Sequence, residues 1–172
     1  SKSRPVGEPA AVEVWPRENP SPQEMAGRFT DELNAVQGEV IRCDSLDDAR
    51  VKLDELAGQA EWVKLCGIDR PAVRAAAAGL EPERIEWAAA DWQPRRIAEY
   101  QASVVEADAL LADTGSCLIS CPTAQDRLLC YLPPACVVIA RTDQLAEHLP
   151  AIWPSVVSRA GGQSLTGEFV IV

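Results

Sequence analysis

Short apolar segments alternate with helix-type segments over residues 21–101, and this alternation constrains the fold more than any other feature of the sequence. Three apolar segments of strand length are bounded by turn residues: 39–43, 62–66 and 84–88. Capping residues, helix-starting prolines and apolar spacing predict four helices: 22–36, 45–58, 71–79 and 94–101. Consecutive parallel strands need a crossover, usually a helix that packs on the sheet. The pattern therefore predicts an α/β fold with a mainly parallel sheet and helices on both faces.

The second part of the sequence predicts an antiparallel element beside this sheet. Ala109–Ala112 and Cys117–Cys121 flank a short turn at residues 113–116, so the two segments can pair as a hairpin. Residues 135–140 form a continuous apolar run, which is typical of a buried strand. The other predicted elements are a helical turn at 127–132, a helix at 143–160 interrupted near Pro150 or Pro154, and a strand at 167–172.

Prolines are concentrated at the start of the chain, at positions 5, 9, 16, 20 and 22. Each proline removes a backbone donor and disfavours helix at the preceding residue. Residues 1–20 are therefore predicted to form a proline-rich extended arm, in which Trp15 has no local core to join. The total of 172 residues suits one domain, which we assign to residues 21–172.

The charge of the chain argues against polyanionic partners. With 16 basic and 26 acidic side chains the formal net charge is −10, which repels nucleic-acid backbones and anionic lipid surfaces. No apolar stretch approaches the roughly 18 residues needed to span a bilayer. We therefore expect no nucleic acid and no membrane among the partners.

The cysteine and histidine content predicts a reduced protein without a metal centre. Six cysteines occur without any Cys-x-x-Cys pair, and His148 is the one histidine, so neither a zinc nor an iron–sulfur pattern is present. No apolar signal segment begins the sequence. We expect a cytoplasmic location, no metal and no cofactor, with Cys117 and Cys121 as core residues and His148 as a surface or capping side chain.

Asp113-Thr114-Gly115-Ser116 is the one short motif that suggests chemistry by itself. It resembles the Asp-Thr-Gly-Ser loop of aspartic proteases, in which two such aspartates share a proton and activate water. That mechanism needs two facing loops on a body rich in β-strands, whereas this chain has one loop and many helix-type segments. The alternative is a hairpin turn, since Asp and Gly favour turns.

Two linked segments carry a resemblance to a known family. Residues 106–119 contain the Ala112-Asp-Thr-Gly-Ser loop, and residues 127–139 run from Arg127-Leu through Leu132-Pro-Pro into an apolar strand. Together they resemble the lactate-utilization (LUD) domain family, specifically its C type. The resemblance implies a Rossmann-like sandwich of the NagB/RpiA/CoA-transferase-like class. It also implies a subunit of a bacterial system that oxidises L-lactate to pyruvate, in which partner subunits carry the iron–sulfur clusters.

The sequence departs from the family pattern in two places. Cys136 stands where the family commonly has histidine, two residues after the Pro-Pro pair. The family usually continues past its last strand into a Gly-Pro-Ser-x-Thr-Ala-Asp-Ile segment, whereas this sequence ends at Val172. We therefore expect residues 21–172 to lack the C-terminal motif of the family.

We expect a pocket where the Asp113–Ser116 loop meets the Leu132–Pro134 turn, with Arg127 at its rim, because both segments interrupt buried apolar strands with polar or rigid residues. We assign Asp113 as the candidate catalytic residue. The candidate substrate-binding residues are Thr114, Gly115, Ser116, Arg127, Leu132 and Pro133. A small hydroxy acid or its activated ester would suit such a pocket, although a structural turn and an ordinary ion pair of Arg127 explain the same residues.

Two functions remain open at this point. The first is an accessory or substrate-handling subunit without its own redox centre, which binds iron–sulfur protein partners. The second is a stand-alone CoA-transferase-like or ligase-like enzyme that acts on a small carboxylate and uses Asp113 as a nucleophile or base.

Overall fold

The computed structural model describes residues 18–159 and 169–172. The helices in these ranges are α1 (Pro22–Ala35), α2 (Leu46–Gln59), α3 (Pro71–Ala77), α4 (Pro94–Ile97), α5 (Ala124–Leu129) and α6 (Leu149–Arg159). The strands are β1 (Leu65–Gly67), β2 (Ile85–Trp87), β3 (Ala102–Glu106), β4 (Ala109–Leu111), β5 (Ser116–Ser120), β6 (Ala135–Ile139), β7 (Leu145–Ala146) and β8 (Phe169–Ile171). Single 3-10 turns at Pro82–Arg84 and Thr142–Gln144 precede β2 and β7.

The first sheet is parallel and has the strand order β2-β1-β3-β6. Its register places Leu65 of β1 opposite both Ile85 of β2 and Ala102 of β3. Ala102 in turn lies opposite Ala135 of β6. The buried strand β3 is therefore an interior strand, and helices α3 and α5 both pack against it.

The second sheet is mixed and has the order β7-β4-β5-β8. Strands β4 and β5 form the predicted antiparallel hairpin, β8 pairs antiparallel with β5, and β7 pairs parallel with β4. The predicted fold class is confirmed: the molecule is α/β, with a mainly parallel sheet, an antiparallel element and packed helices.

The predicted helix starts are confirmed for the first two helices. Ser21 accepts a hydrogen bond from the backbone of Glu24, whose carboxylate accepts the Ser21 N–H in return, which completes a capping box. Ser45 caps α2 by accepting from the Asp48 backbone at 3.1 Å. Gln37, rather than Gly38, takes the left-handed conformation after α1, with φ of 66°.

Two secondary-structure predictions before β3 are wrong. Residues 39–43 form no strand; Ile41 and Cys43 are exposed there, and the segment pairs with no strand of residues 18–159 or 169–172. The predicted helix at 94–101 ends at Ile97, and β3 follows at Ala102. Apolar composition alone marks a strand poorly, because pairing with a neighbouring strand decides which segment enters the sheet.

The region after β6 is also more divided than predicted. A single interrupted helix was expected over 143–160, but β7 occupies 145–146 and α6 begins at Leu149. Pro150 lies in the first turn of α6, where its missing N–H costs nothing, and the helix continues through Pro154. The predicted interruption near Pro150 therefore lies at a helix start.

One apolar core joins the two sheets. Val104 of the first sheet and Ile119 of the second are fully buried in the same cluster. Cys117 and Cys121 are buried as predicted, and all six cysteines are free. Within the described parts of the chain, no helix has the length and apolarity that crossing a membrane requires.

The predicted arm lies outside the described residues up to position 17, including Trp15. Its last residues are described and contact the domain. The Glu18 N–H donates to the Glu147 carboxylate at 2.7 Å, and the Glu18 carboxylate pairs with Arg28 at 2.8 Å. The chain entering α1 is thereby fastened beside the segment that leads into α6.

Candidate functional site

Three strands of the first sheet end at the same edge, because β1, β3 and β6 are parallel and in register. The chain passes from β1 outward to β2, and β3 is then added on the other side of β1. The order of strands therefore reverses between β1 and β3. Open α/β sheets bind ligands outside the carboxyl ends of their strands at such a reversal.

A cavity of about 760 Å³ opens at this edge. Its walls come from the three strand ends, β7, α6 and the start of α1: Asn19, Pro20, Met25, Arg70, Glu106, Ala107, Asp108, Arg141, Asp143, Gln144, Leu145, Ala146, Glu147, Ala151, Ile152 and Ser155. The volume lies within the range of small-molecule sites. Both sheets contribute to the walls, so the cavity depends on the complete fold.

Arg70 follows β1 and is held in place on two sides. One guanidinium nitrogen donates to the Ser120 carbonyl at 2.6 Å, and another lies 3.7 Å from Asp108 Oδ2. The same Asp108 oxygen accepts the Ser120 N–H at 2.6 Å. Since a guanidinium has five N–H donors, these two contacts orient Arg70 and leave donors for a ligand.

Gln144 fastens the segment after β6 to the end of β3. Its side-chain amide donates to the Ala107 carbonyl at 2.7 Å, and its side-chain oxygen accepts the Arg141 N–H at 2.6 Å. Glu106 and Asp108 flank Ala107 at this edge and line the cavity. The segment that follows β6 therefore stabilises the polar end of β3.

The two arginines of the cavity differ in what they can offer to a ligand. Arg141 makes a two-point ion pair with Asp143, at 2.9 and 2.8 Å, and both side chains are more than two-thirds exposed. The Arg70 side chain is 21% exposed. Because water screens a buried charge less than an exposed one, an anion bound by Arg70 gains more than an anion bound by Arg141.

The predicted Asp113–Ser116 loop is the turn between β4 and β5. Asp113 and Thr114 are exposed, and the Asp113 N–H donates to the Glu147 carbonyl at 3.1 Å. Gly115 is buried against the backbone of α1 and has a left-handed φ of 63°. The loop therefore lies on α1, and none of its four residues lines the cavity.

The other predicted site residues lie on the return path from β5 to β6. Arg127 is half-buried in α5. Leu132 and the buried Pro133 precede β6, at the amino edge of the first sheet. The cavity lies at the carboxyl edge, so the structure does not bring these residues into it, and their role in binding stays a prediction.

His148 is a capping residue, as predicted, but it is not on the surface. Its Nδ1 accepts the Ala151 N–H at 3.1 Å, and the residue is 4% exposed. With Nδ1 accepting, the proton of the neutral ring sits on Nε2, which has no hydrogen-bond partner among the described residues. The ring fixes the first turn of α6, next to Glu147.

Sequence reasoning missed Arg70, Glu106 and Asp108. The sequence contains a pattern that could have identified them. Asp69 and Arg70 directly follow one apolar segment, and Glu106 and Asp108 follow another. Without β3 in the predicted sheet, however, the second group had no strand end to occupy. Recognising Ala102–Glu106 as an interior strand would have placed these residues at one edge.

Comparisons with known proteins agree with this architecture. The family model described as LUD domain matches residues 26–164. A crystal structure of a DUF162 family protein from Deinococcus radiodurans resembles the fold with a TM-score of 0.68, at 15% sequence identity, over 89% of this chain and 88% of that chain. Among curated proteins, none matches this chain.

Proposed function

Since this chain belongs to the LUD domain family, we propose that it acts in lactate utilisation by binding a small hydroxy acid in the cavity at the carboxyl edge of the first sheet. The observation that carries the proposal is Arg70. It is a partly buried cation at the reversal of strand order, oriented by Ser120 and Asp108, and it lines the cavity.

The groups around Arg70 suit the two functional groups of a hydroxy acid. The guanidinium can bind a carboxylate through two parallel hydrogen bonds. Glu106 and Glu147 line the same cavity and can accept a hydrogen bond from the ligand hydroxyl. Four carboxylates and two arginines line the cavity, so its charge favours a small monoanion over an activated ester that carries phosphates.

We further propose that the chain is an accessory or substrate-handling subunit in the cytoplasm. This role rests on the resemblance to the C type of the family, in which partner subunits carry the iron–sulfur clusters that accept electrons from L-lactate. In this role the chain binds and orients the hydroxy acid, while the partner subunits perform its oxidation.

One observation favours a second function, a stand-alone CoA-transferase-like or ligase-like enzyme. Asp108 lies 3.7 Å from Arg70, and Glu106 lines the same cavity. Acyl activation requires a carboxylate nucleophile near a bound carboxylic acid, which either residue can supply. Turnover of a small carboxylate by the purified chain alone supports this second function. Copurification with iron–sulfur proteins supports the first.

Growth on L-lactate tests the proposal in the organism that carries the gene. The gene is deleted and complemented with the complete wild-type gene or with an Arg70→Met variant, which removes the charge and donors of the side chain. Arg50→Met is the matched control, because Arg50 is a half-buried arginine that pairs with Asp47 outside the cavity. We expect growth on lactate to fail with Arg70→Met and to be normal with Arg50→Met, while growth on glucose is equal in both.

An Asp113→Asn strain decides the earlier assignment of the loop in the same assay. A growth defect with Asp113→Asn and normal growth with Arg70→Met would move the site to the β4–β5 turn and contradict the cavity proposal. Equal growth of all strains on lactate would contradict a role in lactate utilisation.

A further inference from the structure

Three cysteines from different elements lie together behind β3. Cys121 follows β5, Cys130 follows α5, and Cys136 lies in β6. Strand β6 pairs Cys136 with Ser103 of β3, and the Ser103 hydroxyl donates at 2.6 Å to the carbonyl of Leu129, the neighbour of Cys130. The fold therefore places Cys130 next to Cys136.

The three residues differ in exposure. Cys121 and Cys130 are buried, whereas Cys136 is an exposed residue of β6, which is an edge strand of the first sheet. Of the three, Cys136 is therefore the cysteine nearest to solvent, and Cys130 lies beside it as a buried second thiol.

The pKa values of Cys136 and Cys130 are shifted in opposite directions. Hydrogen bonding with the Cys130 thiol lowers the pKa of Cys136 to about 7, against the opposing effect of burial. Hydrogen bonds to Cys121 and Cys136 raise the pKa of Cys130. A negative charge in this pair is therefore favoured on Cys136 over Cys130. The thiolate is the nucleophilic form of cysteine.

We propose that Cys136 is a hydroperoxide-reactive site and that Cys130 is its resolving thiol, so that oxidation forms a Cys130–Cys136 disulfide. The Cys136 thiolate attacks one oxygen of the hydroperoxide, the O–O bond breaks, and Cys136 becomes a sulfenic acid. The second oxygen leaves with a proton as water, or as an alcohol from an organic hydroperoxide. Cys130 sulfur then attacks the sulfenic sulfur, its proton leaves with the sulfenic oxygen as water, and the disulfide forms.

The proposal is independent of the function proposed for the cavity. The cluster lies against β3, α5 and β6, and none of its three cysteines lines the cavity. Oxidation consumes two thiols for each peroxide reduced, and a dithiol reductant reverses it.

The position of the arginines makes the disulfide easy to identify. Trypsin cleaves after Arg96, Arg127 and Arg141, so Cys130 and Cys136 share the peptide 128–141, whereas Cys121 lies in the peptide 97–127. The full-length protein is treated with hydrogen peroxide at pH 7, alkylated and digested. We expect peptide 128–141 to lose two hydrogen atoms and to remain unlinked. Linkage of the two peptides, or sulfenic acid on Cys136 with no disulfide, would overturn the proposal.

Cys43 provides a matched control within the same chain. It is exposed like Cys136, but partial burial and the charge of Asp48 raise its pKa. In the untreated wild-type protein at pH 7 we expect iodoacetamide to modify Cys136 at least about tenfold faster than Cys43, because the thiolate fraction sets the rate. Equal rates, or a faster reaction of Cys43, would contradict the assignment.

Two variants separate the roles of the cluster. With Cys130→Ser we expect peroxide to leave Cys136 as a sulfenic acid that a dimedone probe labels, since the resolving thiol is absent. With Cys136→Ser we expect loss of thiols from peptide 128–141 to slow at least about tenfold at the same peroxide concentration. With Cys43→Ser we expect peroxide to form the Cys130–Cys136 disulfide as in the wild-type protein. Loss of this disulfide in Cys43→Ser would contradict the proposed pairing of Cys130 with Cys136.

Discussion

At the scale of single residues, Arg70 is oriented by the protein before any ligand arrives. Its contacts to the Ser120 carbonyl and to Asp108 hold the guanidinium at the cavity wall. Ordering a free arginine side chain on binding costs conformational entropy, which these contacts have already removed. Arg70 is therefore better suited to bind a small anion than Arg141, which is exposed and occupied by Asp143.

Gly115 gives a residue-scale prediction about the β4–β5 turn. A Cβ at this position would overlap the backbone of Glu32 and Leu33, and the φ of 63° is unfavourable for any other L-residue. We expect Gly115→Ala to lower the free energy of unfolding by about 2–4 kcal/mol, as measured by urea denaturation.

Gly27→Ala is the matched control for this variant. Gly27 lies inside α1, where an added Cβ meets nothing within 4 Å. We expect it to raise the free energy of unfolding by up to about 1 kcal/mol, because alanine favours helix over glycine. Similar effects of the two variants would show that the turn does not rest on α1 as described.

Structural roles that depend on residues close in the sequence were predictable. Roles that depend on contacts between distant segments were not. Ser21 with Glu24 marks a helix start within four residues, and the structure has a capping box there. Arg70 and Asp108 are 38 positions apart, and they meet because β1 and β3 are neighbours in the sheet. No local pattern contains that pairing, since the strand order arises from packing of the whole chain.

At the scale of elements, β3 organises both the sheet and the candidate site. It pairs with β1 and β6, contacts α3 and α5, and ends at the polar residues of the cavity. Sequence analysis missed β3 because Ala102 and Ser103 have little strand character and follow a helix-type segment directly. The hairpin of β4 and β5 was predictable, because its turn residues lie between two apolar segments.

The interior position of β3 predicts unequal costs for the same substitution on paired strands. Val104 of β3 is fully buried, and its register partner Val137 lies half-buried on the edge strand β6. We expect Val104→Ala to lower the free energy of unfolding by about 2–3 kcal/mol and Val137→Ala to lower it by less than about 1.5 kcal/mol. Urea denaturation measures both, and equal losses would contradict the strand order.

At the scale of the whole molecule, the cavity exists because two sheets share one core. Glu106 enters from the first sheet, Leu145 from the second, and Ile152 from α6. Glu18 and Arg28 bring the start of α1 to the same region. A ligand in the cavity would contact all of these elements, so binding is expected to stabilise the domain as a unit.

Direct binding of L-lactate to the purified full-length protein tests the central claim. Calorimetric titration is performed on the wild-type protein, Arg70→Met, Arg70→Lys and the Arg50→Met control, after thermal unfolding has shown that each is folded. Loss of a charge-assisted carboxylate contact is expected to weaken binding at least about tenfold in Arg70→Met. Arg70→Lys should bind with intermediate affinity, since it keeps the charge but not the two-pronged geometry. Equal affinity of wild-type and Arg70→Met for lactate, or no binding by the folded wild-type protein, would contradict the account.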